Sequence, residues 1–498
     1  MMETNNFQEA FQRCEEAEHY GDPLVHVSAN GAEIVVISDL HLASGIMLDG
    51  RYAGTENFFA DSSLHRFIHT ILARLDRKQA ILIINGDVVD FLRITEYPQS
   101  EEEFQDWQGL LQELGITKSL DQLRKSISKK EIKFGMKTHS YKSVWKLARC
   151  VHGHPQFFQA LTEWLKHGHQ IIISKGNHDL EWYWRDVRNY LRLAMAKRLC
   201  SMLQGKDPKL SLNDVLVQHI SKNLLFVDDA MVIDGTFYIE HGHRYDKYTN
   251  VIGKPLLNDH ELNIPFGSFL NRYLLNQIEL DYPYVDNVRP TTNILPLLIR
   301  QRFFTAMKLL FWYVPFMLRM IPKRYFHYMF GRLIAIAAAV GIPVALGLLY
   351  LFISMPKLGG QLKSWLATGW LRSGLVTSFA SMVAAYLLSR IVAYFQLSEP
   401  SALDVPAMKI FDANPQYQLI TMGHTHNPDQ RLKDGRWFYN TGTWIPVVES
   451  DTAEIREDKT YTFLHFRRHE SGELTPTVVE RWNDEAARAE ALIMVSDD

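Results

Sequence analysis

The sequence predicts a layered α/β sandwich with mixed sheets. Three short, β-branched, apolar runs at residues 33–38, 80–85 and 170–174 are typical of strands buried on both faces of a sheet. A segment with helical spacing, residues 155–166, lies between the second and third runs and gives the β-α-β order of a parallel sheet. Later runs, beginning on either side of an Asp-Gly pair at 234–235, are typical of hairpin strands and add the antiparallel part.

A long insertion divides the predicted core into two parts. The first part spans residues 30–254 and contains a charged, helical insertion of its own at about 93–150. The long insertion spans 255–400, the second part of the core spans 401–484, and residues 485–498 form a C-terminal tail. The hairpin-type strands are predicted at residues 224–227, 231–233, 237–240, 418–422, 437–440, 460–466 and 475–480.

Composition and charge limit the classes of function. Hydrophobic residues make up 47% and charged residues 22% of the 498 positions, which excludes a disordered or low-complexity chain. The 53 basic residues nearly balance the 56 acidic ones, so the bulk charge makes no strong case for a nucleic-acid partner. Cys14, Cys150 and Cys200 share no close spacing, which argues against a disulfide framework or a cysteine metal cluster. Protein partners remain unknown from the sequence.

Two apolar segments of the long insertion predict a two-helix membrane hairpin. Residues 333–355 contain no charged side chain and exceed the roughly 20 residues that a helix needs to cross a bilayer core. Residues 373–395 are interrupted only by Arg390. Upstream, residues 300–332 interleave aromatic and basic side chains without an acidic one, which is typical of a segment in the headgroup layer. The alternatives are two buried core helices and a solvated helix face.

Residue types that bind metals recur at five points where predicted strands end. The five segments are Ser38-Asp39-Leu40-His41, Asn85-Gly86-Asp87-Val88-Val89-Asp90, Gly176-Asn177-His178-Asp179, Glu240-His241-Gly242-His243 and Gly423-His424-Thr425-His426. In an extended segment side chains alternate with a period of two, so we expect Asp39 and His41 to form a chelating pair. The same reasoning applies to His424 and His426. Glycines within these segments let the chain turn, so that the next side chain points into a crevice at the strand ends.

In order and spacing, these segments resemble the blocks D-x-H, G-D-x-x-D, G-N-H-D/E, H-x and G-H-x-H of the calcineurin-like metallophosphoesterase superfamily. The resemblance covers about residues 32–90, 170–245 and 417–446. It implies a four-layer α/β/β/α sandwich with a two-metal site at the sheet edges. By the same resemblance, the first metal is held by Asp39, His41 and His426, the second by Asn177, His241 and His424, and both by the bridging Asp87.

The resemblance also implies roles for residues beside the metals. His178 contacts the phosphoryl oxygens or protonates the leaving oxygen, and Asp90 fixes the tautomer of His178. The candidate substrate-binding residues are Asn177, His178, His243 and Arg244. His178 and Asp90 are therefore the candidate catalytic residues.

The predicted ligands indicate phosphate chemistry. Two divalent cations outweigh the charge of two carboxylates and a bridging hydroxide, so the site is net cationic and attracts a phosphate anion. The hydroxide would attack phosphorus in line. Nitrogen and oxygen donors without a thiolate suit manganese, iron or zinc, and we expect manganese. The sequence therefore predicts a dimetal-dependent hydrolase of phosphoester or pyrophosphate bonds.

Departures from the family narrow the substrate. Phosphoprotein phosphatases carry Arg-Gly after G-D-x-x-D, where this chain has Phe91 and Leu92, so a protein phosphatase is not expected. The segment from His241 through Gly423, followed by Asn427-Pro428 and the run at 439–444, resembles the branch of UDP-2,3-diacylglucosamine pyrophosphatases. That branch usually has Arg at the position of His178 and lacks so long an insertion. The predicted partners are thus a phosphorylated small-molecule or lipid-linked substrate and a membrane.

The positions of the ligands constrain the predicted membrane topology. His241 precedes the apolar segments and His424 follows them, so the chain must cross the membrane an even number of times. Basic residues flanking the hairpin outnumber those in its connecting loop, which predicts a cytoplasmic (inner) membrane location with the catalytic domain in the cytosol. The alternative functions are a soluble nuclease or cyclic-nucleotide phosphodiesterase, and a non-catalytic scaffold with the same fold.

Two further predictions concern residues outside the ligand set. His65 and His69 lie four residues apart on a predicted helix, but no third ligand is evident, so a solvated helix face is favoured over a metal site. Asp179 is predicted to cap the helix that follows it.

Overall fold

The computed structural model describes residues 7–18, 20–49, 51–52, 55–76, 78–205, 207–280, 288–289, 294–313, 316, 319–325, 402–449, 456–469 and 472–492. Contacts between residues divide the chain into two units. The first unit consists of Met1–Pro290 and Glu399–Asp498, and it contains every strand named below. The second unit consists of Thr291–Ser398.

The strands of the described residues are numbered in chain order. They are β1 (Leu24–Val27), β2 (Glu33–Ile37), β3 (Met47–Leu48), β4 (Arg51–Tyr52), β5 (Ala80–Asn85), β6 (Gln170–Ser174), β7 (Leu224–Val227), β8 (Ala230–Ile233), β9 (Phe237–Glu240), β10 (Val288–Arg289), β11 (Leu419–Met422), β12 (Asp429–Lys433), β13 (Arg436–Asn440), β14 (Val448–Glu449), β15 (Thr462–Phe466), β16 (Glu480–Asn483) and β17 (Arg488–Ala491).

The α-helices of the described residues are numbered in the same way. They are α1 (Gln8–Glu18), α2 (Asp61–Leu75), α3 (Glu101–Glu113), α4 (Leu120–Ser126), α5 (Lys129–Phe134), α6 (Ser140–Gly153), α7 (Pro155–Lys166), α8 (Arg185–Gln204), α9 (Leu212–Val215), α10 (Ser221–Asn223), α11 (Phe266–Leu270), α12 (Asn276–Glu279), α13 (Ile294–Gln301), α14 (Phe303–Lys308) and α15 (Asp404–Ala413). One π-helical turn, Leu216–Ile220, joins α9 to α10, and another, Asn271–Leu275, joins α11 to α12.

The larger sheet has seven strands in the order β17-β16-β15-β2-β5-β6-β7. Strands β2, β5, β6 and β7 are parallel, whereas β15 pairs antiparallel with β2. The register places Ile37 beside Ile84 and Ile84 beside Ile173, so the carboxyl ends of three strands meet at one edge. The predictions of strands at 80–85 and 170–174, with a helix between them, are confirmed.

The smaller sheet has six strands in the order β1-β8-β9-β11-β13-β12. Strands β8 and β9 form the predicted hairpin around Asp234, but β7 is not a hairpin strand, because it lies parallel to β6 in the larger sheet. Strands β11 and β13 pair in parallel, so they do not form a hairpin with each other. Strand β12 lies between them in sequence and reverses the direction of the chain. The hairpin here is β12 with β13, turning at Asp434 and Gly435, which both have positive φ. Asp-Gly is a typical sequence for a two-residue hairpin turn, and the Asp434-Gly435 pair indicates this one.

Alternating residues of the larger sheet face two different cores. Ile34, Val36 and Ile83 pack against the smaller sheet, including Ile239. The other face of the larger sheet, together with helices that include α2 and α7, forms a second core. The outer face of the smaller sheet packs with Phe411 and its neighbours on α15. The fold is therefore a mixed α/β sandwich with two sheets and helices, as the sequence predicts.

Residues 93–150 contain four helices, α3 to α6, up to the last turn of α6. Three of them begin with a serine whose side chain accepts a hydrogen bond from the third helical residue, which returns one to the serine backbone. These pairs are Ser100 with Glu103, Ser119 with Gln122 and Ser128 with Glu131. The spacing of these residues explains where the helices start.

Three boundaries differ from those that the sequence suggested. The prediction of a strand at 475–480 is wrong, since β16 begins at Glu480, the last residue of that range. The segment assigned to a C-terminal tail, 485–498, contains β17, which pairs with β16. The second unit starts at Thr291, whereas the predicted insertion started at 255, so α11 and α12 belong with the first unit.

The two candidate membrane segments, 333–355 and 373–395, lie outside the described residues. Within the part of the chain that the structure describes, no helix combines the length and the apolar character needed to cross a membrane. The described part of the upstream stretch, 300–332, contains α14, a π-helical turn at Leu309–Tyr313 and a 3₁₀ turn at Lys323–Tyr325.

A buried histidine between two carboxylates predicts a pH-dependent stability. His154 Nδ1 lies 2.9 Å from Asp61 Oδ2, and Nε2 lies 3.1 Å from Glu56 Oε2. Burial alone would lower the pKa of His154, but these carboxylates raise it to about 9. Because the pKa rises on folding, the charged imidazole stabilises the fold fully below about pH 6.5, and this stabilisation is lost as the pH rises through 9.

We expect this charge to contribute about 3 kcal/mol to the free energy of unfolding at pH 6, because folding raises the pKa of His154 from 6.5 to about 9. His154→Gln removes the titrating group. In denaturant titrations the stability difference between the wild type and His154→Gln should shrink between pH 6.5 and 9.5. A difference that stays constant over this window would contradict the prediction.

Candidate metal centre

The predicted ligands lie where the two sheets end at a common edge. From the larger sheet, Asp39 follows β2, Asp87 follows β5 and Asn177 follows β6. From the smaller sheet, His241 follows β9 and His424 follows β11, which pairs parallel with β9. Because the carboxyl ends of parallel strands meet at one edge, residues far apart in sequence become neighbours.

The first group of donors consists of Asp39, His41 and His426, whose ligand atoms lie within 4.8 Å of one another. His426 Nε2 lies 3.3 Å from Asp39 Oδ1, and His41 Nε2 lies 3.1 Å from His426 Nε2. His41 Nε2 is also 4.0 Å from Asp39 Oδ1. This is the set that the resemblance predicts for the first metal.

The second group of donors consists of Asp87, His241 and His424, again within 4.8 Å of one another. Asp87 Oδ2 lies 3.2 Å from His241 Nε2 in this group and 3.7 Å from His41 Nε2 in the first group. The Asp87 carboxylate is therefore shared between the groups, at the position of a bridging ligand.

Three buried atoms of the centre have no hydrogen-bond partner among the described residues: Asp39 Oδ1, Asn177 Oδ1 and His241 Nε2. A buried polar atom without a partner costs free energy, and bound cations would satisfy all three. Each of them is a lone-pair donor that suits a divalent metal. The residues present therefore fit a metal. The nitrogen and oxygen donors of the set independently indicate the same.

The electrostatics of the centre favour positive charge. Burial alone would raise the pKa of Asp87, but the adjacent His241 and His178 hold it well below its usual range. The pKa of Asp39 is also lowered, against the effect of burial, by His241 and His426. Burial alone would lower the pKa of His241, but Asp87 and Asp39 raise it to about 10. Two buried carboxylates therefore create a potential that attracts a cation.

Neighbouring groups orient the donors. His241 Nδ1 donates to the Asn85 carbonyl at 2.8 Å, which leaves the lone pair on Nε2 for a metal. Ser38 Oγ and the His424 backbone N–H both donate to Asp39 Oδ2, at 2.5 and 3.0 Å. These bonds leave Asp39 Oδ1, the oxygen without a partner, aimed at the centre.

The donor residues have an unusual backbone conformation. Five of them lie at positive φ: Asp39 (54°), His41 (53°), Asp87 (54°), His424 (70°) and His426 (56°). Such values are uncommon outside glycine and store strain of order 1 kcal/mol or more per residue, typically at functional sites. Neither expected pair is therefore extended, although Asp39 and His41 do belong to one donor group, as expected. His424 and His426 turn into different donor groups, because neither lies in an extended segment.

The glycines of the motifs serve close approach more than turning. Gly86 has φ +82°, and a Cβ there would lie 2.5 Å from His241 Cγ. Gly176 and Gly423 have no positive φ. A Cβ on Gly423 would lie 2.7 Å from Asp39 Oδ2. The expectation that these glycines make sharp turns therefore holds for Gly86, whereas the other two leave room for ligand side chains.

Gly176→Ala tests this packing. The added Cβ would lie 2.6 Å from the Asp87 backbone nitrogen, so the loops carrying Asn177 and Asp87 must separate. We expect the free energy of unfolding to fall by about 1–3 kcal/mol, and retained metal to fall with it. Denaturant titration and elemental analysis measure the two effects.

Gly109→Ala on α3 is the matched control. A Cβ there meets no described atom within 4 Å, so the change should leave metal content unaltered and raise stability by about 0.5–1 kcal/mol. Equal stability and equal metal content of Gly176→Ala and the wild type would show that the glycine is not needed for close approach.

A histidine–carboxylate pair adjoins the donors. His178 Nδ1 lies 2.7 Å from Asp90 Oδ2, and His178 forms a third potential ligand group with His41 and Asp87. The same Asp90 oxygen is 3.3 Å from His41 Nδ1. Burial alone would raise the pKa of Asp90, but His178, His41 and Arg93 hold it far below its usual range. Asp90 therefore stays charged and fixes both imidazoles.

Two residues that the sequence does not single out, Arg93 and Glu279, support Asp90. Arg93 is buried, donates to Asp90 from Nε at 3.1 Å, and forms an ion pair with buried Glu279 on α12. Glu279 comes from within the predicted insertion, far from Arg93 in sequence, so no sequence signal links the two. The close spacing of Asp90 and Arg93 was the only signal available.

Asp179 does not cap the following 3₁₀ helix, Leu180–Tyr183, with its side chain. Its Oδ1 accepts from the Gly176 N–H at 2.6 Å and its Oδ2 from the Val88 N–H at 2.8 Å. Burial, with the nearby charge of Asp87, raises the pKa of Asp179 to about 6. Asp179 thus joins the two loops that carry Asp87 and Asn177.

The two remaining candidates occupy different surroundings. The His243 ring lies 5.4 Å from that of His241, and its buried Nδ1 has no hydrogen-bond partner in the described residues. Burial holds the pKa of His243 well below its usual range, with His241 and His424 adding to the effect. Arg244 instead donates to Tyr238 Oη at 2.6 Å and pairs with Glu240 at 2.6 Å.

Most of the centre is shielded from solvent. The exposed fraction of the side chain is 16% for His178 and 13% for His426, against 0–5% for Asp39, His41, Asp87, His241 and His424. His178 and His426 therefore mark the open side of the centre.

Comparisons with protein-family models and with curated proteins find no match for this chain.

Proposed function

We propose that the protein is a dimetal-dependent hydrolase of phosphoester or diphosphate bonds, of the calcineurin-like metallophosphoesterase type. The observation that carries the proposal is the shared position of Asp87, whose Oδ2 faces His241 at 3.2 Å and His41 at 3.7 Å. A carboxylate between two donor groups is the arrangement that holds two cations close together. The stacking of the two sheets with helices on their outer faces supports the four-layer fold of that family.

The residues would divide between two cations. Asp39, His41 and His426 would hold the first, Asn177, His241 and His424 the second, and Asp87 both. Manganese is the expected metal, with iron and zinc as alternatives, because the donors are nitrogen and oxygen without a thiolate. When bound, two such cations lower the pKa of a water and neutralise charge on the phosphoryl oxygens.

The charges of the donors explain why the substrate would be a phosphate. Asp39 and Asp87 are the two carboxylates among the seven donors, so a pair of divalent cations leaves a net positive charge. A phosphoryl group would enter from the open side marked by His178 and His426. Asn177 and His243 would contact it there, since the His243 ring lies 5.4 Å from that of His241. Arg244 would act only if its pair with Glu240 opens.

His178 would handle the proton of the leaving group. Asp90 accepts a hydrogen bond from His178 Nδ1, which fixes the tautomer and assigns proton exchange to Nε2. Because Asp90 stays charged, it stabilises the imidazolium form that can protonate a leaving oxygen. His178 is therefore the general acid of the proposal, and Asp90 is its positioning residue.

The proposed substrate is lipid-linked or amphiphilic, hydrolysed at the cytosolic face of the inner membrane. The absence of charge over 333–355 supports a membrane hairpin formed with 373–395. In the described part of the second unit, Phe304, Phe311 and Trp312 are 81%, 73% and 68% exposed. Exposed aromatic side chains beside basic residues are typical of a segment in the headgroup layer.

The decisive experiment is hydrolysis by the purified full chain, stripped with chelator and reloaded with manganese. The panel should contain a sugar-nucleotide lipid, a phospholipid phosphate, a cyclic nucleotide and a generic phosphodiester. We expect hydrolysis only after reloading, with about two metals per chain and the highest kcat/KM for a lipid-bearing substrate. Full metal loading without hydrolysis of any substrate would indicate a scaffold. Hydrolysis of the cyclic nucleotide alone would favour the soluble phosphodiesterase alternative.

Carbonate extraction tests the membrane part of the proposal separately. We expect the chain to stay in the membrane pellet, because two apolar helices would anchor it. Release into the supernatant would refute the hairpin while leaving the dimetal chemistry in place.

A further inference from the structure

A second cluster of metal-ligand side chains lies between α2 and α7. These two helices pack together within the first unit and bury apolar side chains such as Phe67 and Phe157 in one core. His65 and His69 lie one turn apart on α2, and Glu163 lies on α7. Because packing fixes both helices, the three side chains project from a rigid base. We call these three residues the α2–α7 cluster.

The donor atoms of the α2–α7 cluster lie within 4.8 Å of one another. Glu163 Oε2 is 2.6 Å from His69 Nε2 and 3.5 Å from His65 Nε2. The two imidazole rings have their centroids 4.6 Å apart. The sequence shows no third donor beside the histidine pair, and Glu163 provides one in the structure. No sequence signal connects it, since it lies on a different helix.

Two atoms of the cluster make no hydrogen bond to a described residue, although Glu163 Oε2 lies within ion-pair distance of both imidazoles. His65 Nε2 and Glu163 Oε2 are both buried and have no hydrogen-bond partner among the described residues. His69 Nε2 is near Glu163 Oε2 but outside hydrogen-bond geometry. The other carboxylate oxygen, Oε1, accepts from Gln159 at 3.0 Å, which holds Oε2 toward the histidines. Unpaired lone pairs thus converge on one point.

We infer that the α2–α7 cluster binds a zinc ion, independently of the dimetal centre, with which it shares no ligand. Two imidazoles and one carboxylate are a common set of zinc donors, which leaves a fourth position for water. The set has one negative charge and no thiolate, so a borderline divalent cation fits better than calcium or magnesium. Bound zinc connects α2 to α7 and stabilises the packing of both helices.

Zinc stoichiometry tests the inference. The full chain, stripped with chelator and then equilibrated with zinc at micromolar free concentration, is separated from free metal and analysed by elemental mass spectrometry. The wild type should retain one more zinc per chain than Glu163→Gln and His69→Ala, whatever the occupancy of the dimetal centre. Anomalous diffraction at the zinc edge should place this ion between α2 and α7.

Thermal unfolding provides a second readout. Zinc added to the manganese-loaded wild type should raise Tm, and each variant should lose that rise, with affinity weakened by at least about tenfold. His152→Ala, which removes an exposed imidazole outside the α2–α7 cluster, is the matched control and should keep both the extra zinc and the rise in Tm.

Three results would overturn the inference: equal zinc content in the wild type and both variants, equal losses in His152→Ala, or zinc retained only at millimolar concentration. His69 is 53% exposed, so His69→Ala should fold even if Glu163→Gln does not. Phosphoesterase activity of the manganese-loaded variants should equal that of the wild type. A failed zinc site therefore leaves the proposed function untouched.

Discussion

Asp87→Asn is expected to reduce the rate of hydrolysis by more than about 100-fold. Losing a residue that only orients a metal ligand typically costs about 10–100-fold, so a larger loss is expected for a ligand itself. The carboxylate faces both donor groups, so the amide removes one of the two negative charges and weakens both metal positions. The change is nearly isosteric, which keeps the loop around it intact. Steady-state hydrolysis and metal content per chain measure the two consequences together.

Asp22→Asn is the control for Asp87→Asn, since Asp22 is an exposed aspartate near β1. It should keep full activity and full metal content. If Asp87→Asn retained two metals per chain and more than a tenth of wild-type activity, Asp87 would not be a bridging ligand, and the proposed function would lose its main support.

His178→Gln is expected to lower kcat by about 10²–10⁴-fold, the usual contribution of a general acid, with a much smaller change in KM. Glutamine can still donate a hydrogen bond to a phosphoryl oxygen, but it cannot transfer a proton. The loss should be smallest for substrates with a good leaving group, such as a nitrophenyl ester. A uniform loss across leaving groups would show that His178 binds substrate instead of protonating it.

Asp90→Asn separates positioning from proton transfer. The contact between Asp90 Oδ2 and His178 Nδ1 orients the imidazole, and the Asp90 charge favours its protonated form, so the loss of both should cost about 10–100-fold in kcat. The alkaline limb of the pH–rate profile, where the imidazolium loses its proton, should shift to lower pH in this variant. His167→Gln, which changes an exposed histidine at the end of α7, is the control and should leave the profile unchanged. An unshifted profile for Asp90→Asn would contradict the positioning role.

Local sequence patterns predict the centre of the fold well. The β-branched runs at 80–85 and 170–174 coincide with β5 and β6, because strands buried on both faces require continuous apolar residues. Pairing partners are harder to predict. Strand β7 joins β6 instead of β8, and β15 joins β2 from the far end of the chain. These pairings depend on which apolar faces meet, and local sequence does not contain that information.

The donor residues of the candidate site could be predicted from the sequence, but the residues that support them could not. Motif spacing brought together the residues that the structure places in two donor groups, since ligands at strand ends converge whatever their separation in sequence. The supporting contacts were not predictable. Glu279 reaches Arg93 only through tertiary packing, and the third member of the α2–α7 cluster, Glu163, comes from another helix. The positive φ of Asp39 and Asp87 depends likewise on surroundings that the sequence does not display.

The pairing of β15 with β2 affects how the chain is made. During synthesis β2 emerges long before its neighbour on one side, Thr462–Phe466, which follows more than 400 residues later in the chain. Until then the nascent protein presents an open, apolar strand edge that invites association with other chains. Chaperone protection during elongation should therefore matter more for this protein than for one whose sheet is completed in order of synthesis.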